Sequence, residues 1–278
     1  MPDVIRLFMF AVAIAFAGPA SAQEGAARRA SHCIALANAA PGLTYLHQAS
    51  FHTPVAEDSV RIRYIDHSAF LIQTEGGLSA VTDFTGFTGS APFLPDVVTM
   101  NHAHSSHWTP VPDPAIPHVL QGWGSNGVPA SHHLDLGEML VRNVPTDIRS
   151  GIGVEENGNS IFIFEVAGLC IGHLGHLHHE PDAAQYAALG RLDVVMAAVD
   201  GGRTVDLPTM MRILNRLKAS IVIPMHWFEE FTLNAFLTGM SEAYVIDRDV
   251  GHELTVSLRS LPDQRKIVVL RPKFLSPP

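Results

Sequence analysis

Half of the chain's 16 histidines fall in three short stretches. These are His102-Ala-His104-Ser-Ser-His107, His173-Leu-Gly-His176-Leu-His178-His179, and His226 directly after Ile221 to Met225. Neutral imidazole is the commonest protein ligand for transition metals near neutral pH. In extended chain, residues two apart face the same way, so His102 and His104 can aim at one metal while His107 turns back towards a second position. Each stretch follows an apolar run of strand character, so three strand ends would present imidazole to a common point. The expected ligands are His102, His104, His107, His176 and His226, with His107 and His176 either ligating or shuttling protons. Trp108, Trp227 and Phe228 flank these positions and could wall a pocket, although aromatic residues there also suit a core. The remaining histidines read more plainly. His178 and His179 look like loop residues, His32, His47, His52, His132, His133 and His252 like surface, and His67, opening a strand as Asp-His-Ser, like a structural histidine. No G-x-S-x-G nucleophile elbow and no phosphate-cradling glycine loop occurs.

The elements that must position these residues follow from periodicity. Val60 to Ile65 alternates, and Ala69 to Thr74 and Leu78 to Thr82 follow around a Gly76-Gly77 turn, which predicts a β-meander. Further strands are expected at Asp96 to Met100, Val119 to Gln121, Met139 to Val144, Ser160 to Val166 (after an Asn157-Gly158 turn) and Leu169 to Gly172. Beyond residue 180 helix and strand alternate. Helices are expected at Asp182 to Leu189, Leu207 to Lys218 and Glu230 to Met240, and fully buried strands at Asp193 to Val199 and Ile221 to Met225. His252 to Leu258 and Lys266 to Leu270 close the chain. A β-rich first half and a βαβα second half predict an α/β fold, an αββα sandwich of two packed mixed sheets with outer helices. Residues 61–278 would form this single domain, preceded by an arm over 23–60 with a short helix within Ala27 to Ala40.

In order and spacing these elements resemble the metallo-β-lactamase-fold superfamily, in its broad branch of metal-dependent hydrolases, from about Arg61 to Phe236. His102-Ala-His104-Ser-Ser-His107 is similar to that family's H-x-H-x-D-H. Val81-Thr-Asp83 resembles its strand-end aspartate, and His173-Leu-Gly-His176-Leu-His178 its H-L-G-D-L-G segment. Asp193 to Gly202 resembles its buried strand ending in a glycine pair, and Ile223-Pro-Met-His226 its last ligand strand. The resemblance implies metal ions at strand ends between two sheets, with Asp83 orienting a ligating histidine and His173 standing behind the site. There are departures. Ser106 and His176 occupy the family's aspartate positions, and the histidine expected after Val144-Pro145 is replaced by Thr146-Asp147, leaving Ser106 and Asp147 as alternative ligands. Two dications among nearly all-neutral ligands would repel with little to offset them, so one ion per chain is expected. Zinc suits imidazole ligation in an exported protein; iron, copper and nickel share that ligand chemistry.

The leading expectation is a hydrolase acting through a metal-activated water on a small-molecule ester, lactone, amide or phosphodiester. The alternative is a metal-binding or sensing module that has lost catalysis with its two carboxylates. A zinc store is a third and weaker reading, since such proteins carry longer histidine tracts in disordered loops. With 18 basic against 27 acidic residues and a net charge of -9, nucleic acid is not an expected partner. Residues 1–22 read as a secretory signal: Arg6, an eleven-residue apolar run from Leu7 to Ala17, then Ala20-Ser21-Ala22. That run is too short to span a bilayer, which takes about 20 residues, so a periplasmic or secreted protein without a lasting membrane anchor is expected. Two cysteines, Cys33 and Cys170, could pair in such a compartment, although Cys170 equally suits a small core position. Spacing alone leaves that open.

Overall fold

The structure, a computed structural model, describes residues 29–35, 51–151 and 153–277. The signal-like leader and most of the expected 27–40 helix lie outside that range; a short helix α1 covers His32–Ala35.

Two mixed sheets pack face to face. Strands β1 (Ser59–Asp66), β2 (Ala69–Thr74), β3 (Ser79–Val81), β4 (Val97–Met100) and β5 (His118–Gln121) make one sheet, joined on its β1 edge by β13 (Glu253–Ser257). The second contains β6 (His133–Asp135), β7 (Met139–Ser150), β8 (Gly153–Val166), β9 (Leu169–His173), β10 (Val194–Ala198), β11 (Ile221–Met225), β12 (Val245–Asp247) and β14 (Lys266–Val268), in the order β12-β14-β11-β10-β9-β8-β7-β6. Val60, Ile62, Tyr64, Phe70 and Ile72 of the first sheet meet Phe162, Phe164, Met196, Ile223 and Met225 of the second in a closed apolar layer. Strands β10 and β11 are apolar throughout because both faces are covered. Val194, Met196 and Ala198 face the other sheet, whereas Val195 and Ala197 face the helices.

Helices α2 (Ala183–Leu189), α3 (Leu207–Leu217) and α4 (Glu230–Met240) lie over the second sheet, burying Leu189, Met210, Ile213, Leu214, Phe236 and Met240. Helix α3 starts where Asp206 accepts the Thr209 N–H, with Pro208 in the first turn where no N–H is needed. Helix α2 opens on a reciprocal Asp182/Gln185 capping box. The outer face of the first sheet is roofed differently. Phe84, Ala91, Ile116 and Leu275, from loops and the C-terminal stretch, cover Leu71, Val81 and Val98, and no described helix packs there.

Two details depart from the sequence reading. Strands β7 and β8 run well past the expected Val144 and Ser160 as a long hairpin, with a register shift between Thr146 and Ile148. Asn157-Gly158 is therefore inside β8, with Asn157 at φ 54°, and is not the turn before it. Cys33 and Cys170 are disulfide-bonded, tying α1 to β9 across a sequence separation of 137. Among the described residues no helix is long and apolar enough to cross a membrane.

Candidate metal centre

Parallel strands that share a direction bring their C-terminal ends to one edge of the sandwich. Here the ends of β4, β9, β10 and β11 deliver His102, His173, Asp200 and His226. The β1–β2 turn adds His67, and the segment after β3 adds Asp83. The two sheets are stitched at this point: the His67 carbonyl accepts the His226 N–H at 2.8 Å and the Tyr64 hydroxyl.

The loop after β4 is coiled, not extended. His104 N–H reaches back to the His102 carbonyl (2.8 Å) and His107 N–H to the His104 carbonyl (2.7 Å). This tight turn sends His107 inward, fully buried, and leaves His104 exposed. His107 Nδ1 contacts Asp83 Oδ2 at 2.8 Å, and His226 Nδ1 lies 2.9 Å from Asp200 Oδ2. His107 thus has its Nδ1 hydrogen-bonded to a carboxylate and His226 has its Nδ1 within ion-pair distance of one, placements that direct Nε2 towards a metal. The two Nε2 atoms face each other 3.2 Å apart. Zinc–nitrogen bonds of about 2.0–2.1 Å at a tetrahedral angle place neighbouring nitrogens about 3.3 Å apart, so this pair fits the two sides of one ion. His67 completes the group: ligand atoms of His67, His107 and His226 lie within 4.8 Å of one another, and His67 Nε2 is buried without a hydrogen-bond partner.

His102 Nδ1 is on the Gly158 carbonyl (2.6 Å) and His104 Nδ1 on Ser106 Oγ (3.0 Å). Their rings are 6.3 Å apart, and each stands nearly 6 Å from His176 (5.7 and 5.8 Å). The His176 ring is nearer the buried pair, at 4.5 Å from His107 and 5.5 Å from His226. Its backbone N–H donates to Asn159 Oδ1, and its buried Nδ1 has no partner.

Electrostatics keep these imidazoles neutral. Burial, reinforced by His226 and the neighbouring histidines, lowers His107 well below its usual range. The same causes push His67 down to about 3. His176 is lowered by burial and then by His107 and His178. Neutral imidazole is the ligating form. Burial raises Asp83, partly offset by His173 and by hydrogen bonds from Ser68 and Asn101. Burial alone would raise Asp200 as well, but His226 and the Gly202 and Thr204 N–H groups outweigh it and hold that carboxyl well below the ordinary range.

The other expected site residues lie elsewhere. His173 is buried as a strut between Ser68 O (2.8 Å) and the Asn101 amide (3.2 Å). Asp147 Oδ1 accepts the Asn157 N–H within the hairpin and is absent from the cluster. Ser106 is turned onto His104. Trp108 packs edge-on to Trp123 outside the first sheet, and Trp227 packs on Tyr64 in the core. Only Phe228 lies beside the centre, exposed, 5.3 Å from His67 and 5.4 Å from His226, with the Arg203 guanidinium 4.5 Å over its ring. His178, expected in an open loop, is buried; its Nδ1 accepts the Arg149 N–H, and burial lowers it to about 4. The sequence reading missed His67 and Asp200. An aspartate directly after a buried strand and before Gly201-Gly202 was the available signal for Asp200. Nothing in sequence distinguished His67 from a structural histidine.

Residues 61–226 match the family described as the Beta-lactamase superfamily domain. A UPF0173 metal-dependent hydrolase from Methanoculleus marisnigri is 26% identical over 184 residues, covering 60% of this chain and 81% of the relative. Another from Carboxydothermus hydrogenoformans is 23% identical over 191 residues, covering 60% and 84%. Among solved structures, a proposed Zn-dependent hydrolase of the metallo-beta-lactamase superfamily from Thermotoga maritima superposes with a TM-score of 0.55 at 26% identity, over 76% of this chain and 98% of its own. A metallo hydrolase from Ignicoccus hospitalis has the same fold, with a TM-score of 0.54 at 18% identity over 72% and 99%. With two packed mixed sheets and histidines gathered at their strand ends, this chain belongs to the beta-lactamase superfamily and is a metal-dependent hydrolase.

Proposed function

We propose that the protein hydrolyses a small-molecule ester, lactone, amide or phosphodiester at a single zinc ion, in the periplasm or outside the cell. The observation that carries this is the His107–His226 pair: two buried Nε2 atoms 3.2 Å apart, each ring backed by a carboxylate. When bound, a zinc ion supplies a water that ionises near neutral pH and a Lewis acid for the substrate oxygen. Asp83 and Asp200 fix the tautomers and orientations of His107 and His226. His176, with its buried Nδ1 free of protein partners, stands beside them as a neutral imidazole able to accept a hydrogen bond. Arg203 over Phe228 offers a positive charge and an apolar face at the rim, which suits a substrate carrying both an anion and a hydrocarbon part. Only one histidine-only group among the described residues is compact enough for an ion, which supports one metal per chain. The Cys33–Cys170 disulfide supports export, since such bonds persist in oxidising compartments.

The test is a chromogenic panel of nitrophenyl ester, lactone, anilide and bis-nitrophenyl phosphate with zinc-loaded and EDTA-treated protein, together with His226→Ala. Turnover that needs both metal and His226 is expected on at least one class. A zinc-loaded protein inert on all four overturns the proposal.

A further inference from the structure

We propose that His67 is the third protein ligand, so that the ion sits on His67, His107 and His226 and not on His102 and His104. This rests on the metal-dependent reading above and concerns which of its histidines hold the ion.

Distance selects the set. The ligand atoms of these three residues gather within 4.8 Å, and no other three-histidine group among the described residues does so. The His67 ring is 3.9 Å from that of His226 and tilted 42° to it, so neither a flat stack nor a second carboxylate accounts for its position. Its Nε2 is buried with no hydrogen-bond partner, a cost that a ligand removes. The backbone enforces the placement. His67 sits at φ +46° in a two-residue turn, a conformation that a non-glycine side chain takes up at a cost. Its carbonyl is clamped from both sheets by Tyr64 and by the His226 N–H. The positive φ is what a two-residue hairpin turn requires of its first position, and the clamp is what fixes that turn, and the imidazole with it, against the opposite sheet.

What separates the competing histidines from this set is distance. His102 and His104 use Nδ1 on the Gly158 carbonyl and Ser106 Oγ, but their rings stand 6.3 Å apart and nearly 6 Å from His176, and neither joins the compact group. With three nitrogens from His67, His107 and His226, one position of a tetrahedral ion stays open for water or substrate, as hydrolysis requires.

The experiment uses the oxidised mature protein and titrates it with Co(II), reading visible d–d absorption and affinity by competition with a chelator. Asn tolerates left-handed backbone, so His67→Asn removes the ligand and keeps the turn. Its Co(II) affinity should fall by more than the ~10–100-fold that loss of an orienting partner causes, with a changed d–d spectrum, whereas His102→Ala should stay within about threefold of the parent. A His67→Asn protein with parental affinity and spectrum, beside a His107→Ala protein that has lost both, overturns the role of His67 and leaves the hydrolase reading standing. Equal losses in His67→Asn and His102→Ala overturn the placement. A parent protein that binds neither Co(II) nor Zn(II) overturns the hydrolase reading itself. Should His67→Asn fail to fold, His67→Gly with added imidazole decides: return of the parental Co(II) spectrum supports the assignment, and its absence overturns it.

Discussion

Reducing the Cys33–Cys170 disulfide tests how the short N-terminal helix is held. The bond spans 137 residues of sequence. Loop-closure entropy for a crosslink of that reach limits the unfolded chain by about 5 kcal/mol, which is a ceiling. The docked segment opposes part of this. Without the bond it keeps the Arg191 N–H on the Cys33 carbonyl (2.9 Å), the His32 N–H (3.1 Å) and the Ser31 hydroxyl on Glu165, the Arg29 guanidinium on the Gly137 carbonyl, and His133 Nε2 on the Arg29 carbonyl (3.0 Å). Five hydrogen bonds at ~1 kcal/mol each do not offset ordering seven residues at ~1–2 kcal/mol each. The reduced segment should therefore undock, and the net loss should lie below the ceiling, in the range of about 2–4 kcal/mol typical of a disulfide. With a urea dependence of about 3 kcal/mol per molar, the unfolding midpoint should drop by roughly 0.7–1.3 M. Equilibrium unfolding of oxidised and reduced protein, checked with Cys33→Ser/Cys170→Ser, measures it. New trypsin cleavage after Arg29 under native conditions would report the undocking. A midpoint shift below about 0.2 M, or an unchanged cleavage pattern, refutes the reasoning.

Asp83→Asn keeps shape and tolerates φ +43° but weakens the contact to His107; zinc affinity should drop about 10–100-fold with the fold retained, read by chelator competition. Glu165→Gln leaves Arg142 charged and unpaired in the interior, which should cost on the order of 3–5 kcal/mol in unfolding free energy. Burial raises the Glu165 carboxyl, but Arg142 and Ser31 outweigh it and set it below the ordinary 4.5. Its contribution is thus full above pH ~4.5 and lost as pH falls through the lowered folded value, so the gap between parent and variant melting temperatures should shrink only there. Native material should begin at Gln23 by intact mass; a full-length cytoplasmic chain would refute export.

Much of this molecule could be read in one dimension. The buried strands Val194–Ala198 and Ile221–Met225 are apolar runs because both faces are covered, and their ends carry the chemistry, so finding the strands found His226. Legibility failed where the signal is three-dimensional. His67 is one histidine before one strand, and its standing comes from a clamp between residues of both sheets. His102 and His104 were paired on the assumption of extended chain, which the tight turn at 102–107 removes. The outer half of β7–β8 is polar on both faces and short of apolar alternation, so pairing there is invisible to periodicity. The Cys33 and Cys170 spacing could not show that their Cα atoms come within 5.8 Å.

That long hairpin has a mechanical consequence. Of the described residues in 147–157 only Ile148 is buried, so peeling this stretch away exposes little apolar surface and needs little free energy. Its root nevertheless bears on the centre, since the Gly158 carbonyl steadies His102 and the Asn159 side chain steadies the His176 backbone. His107 and His226 are anchored instead to carboxylates at the ends of fully buried strands. The centre is thus stiff on one side and compliant on the other. A bulky ligand pressing against His102 and His176 would load a cantilever, deflecting the hairpin while the grip of His107 and His226 keeps its shape.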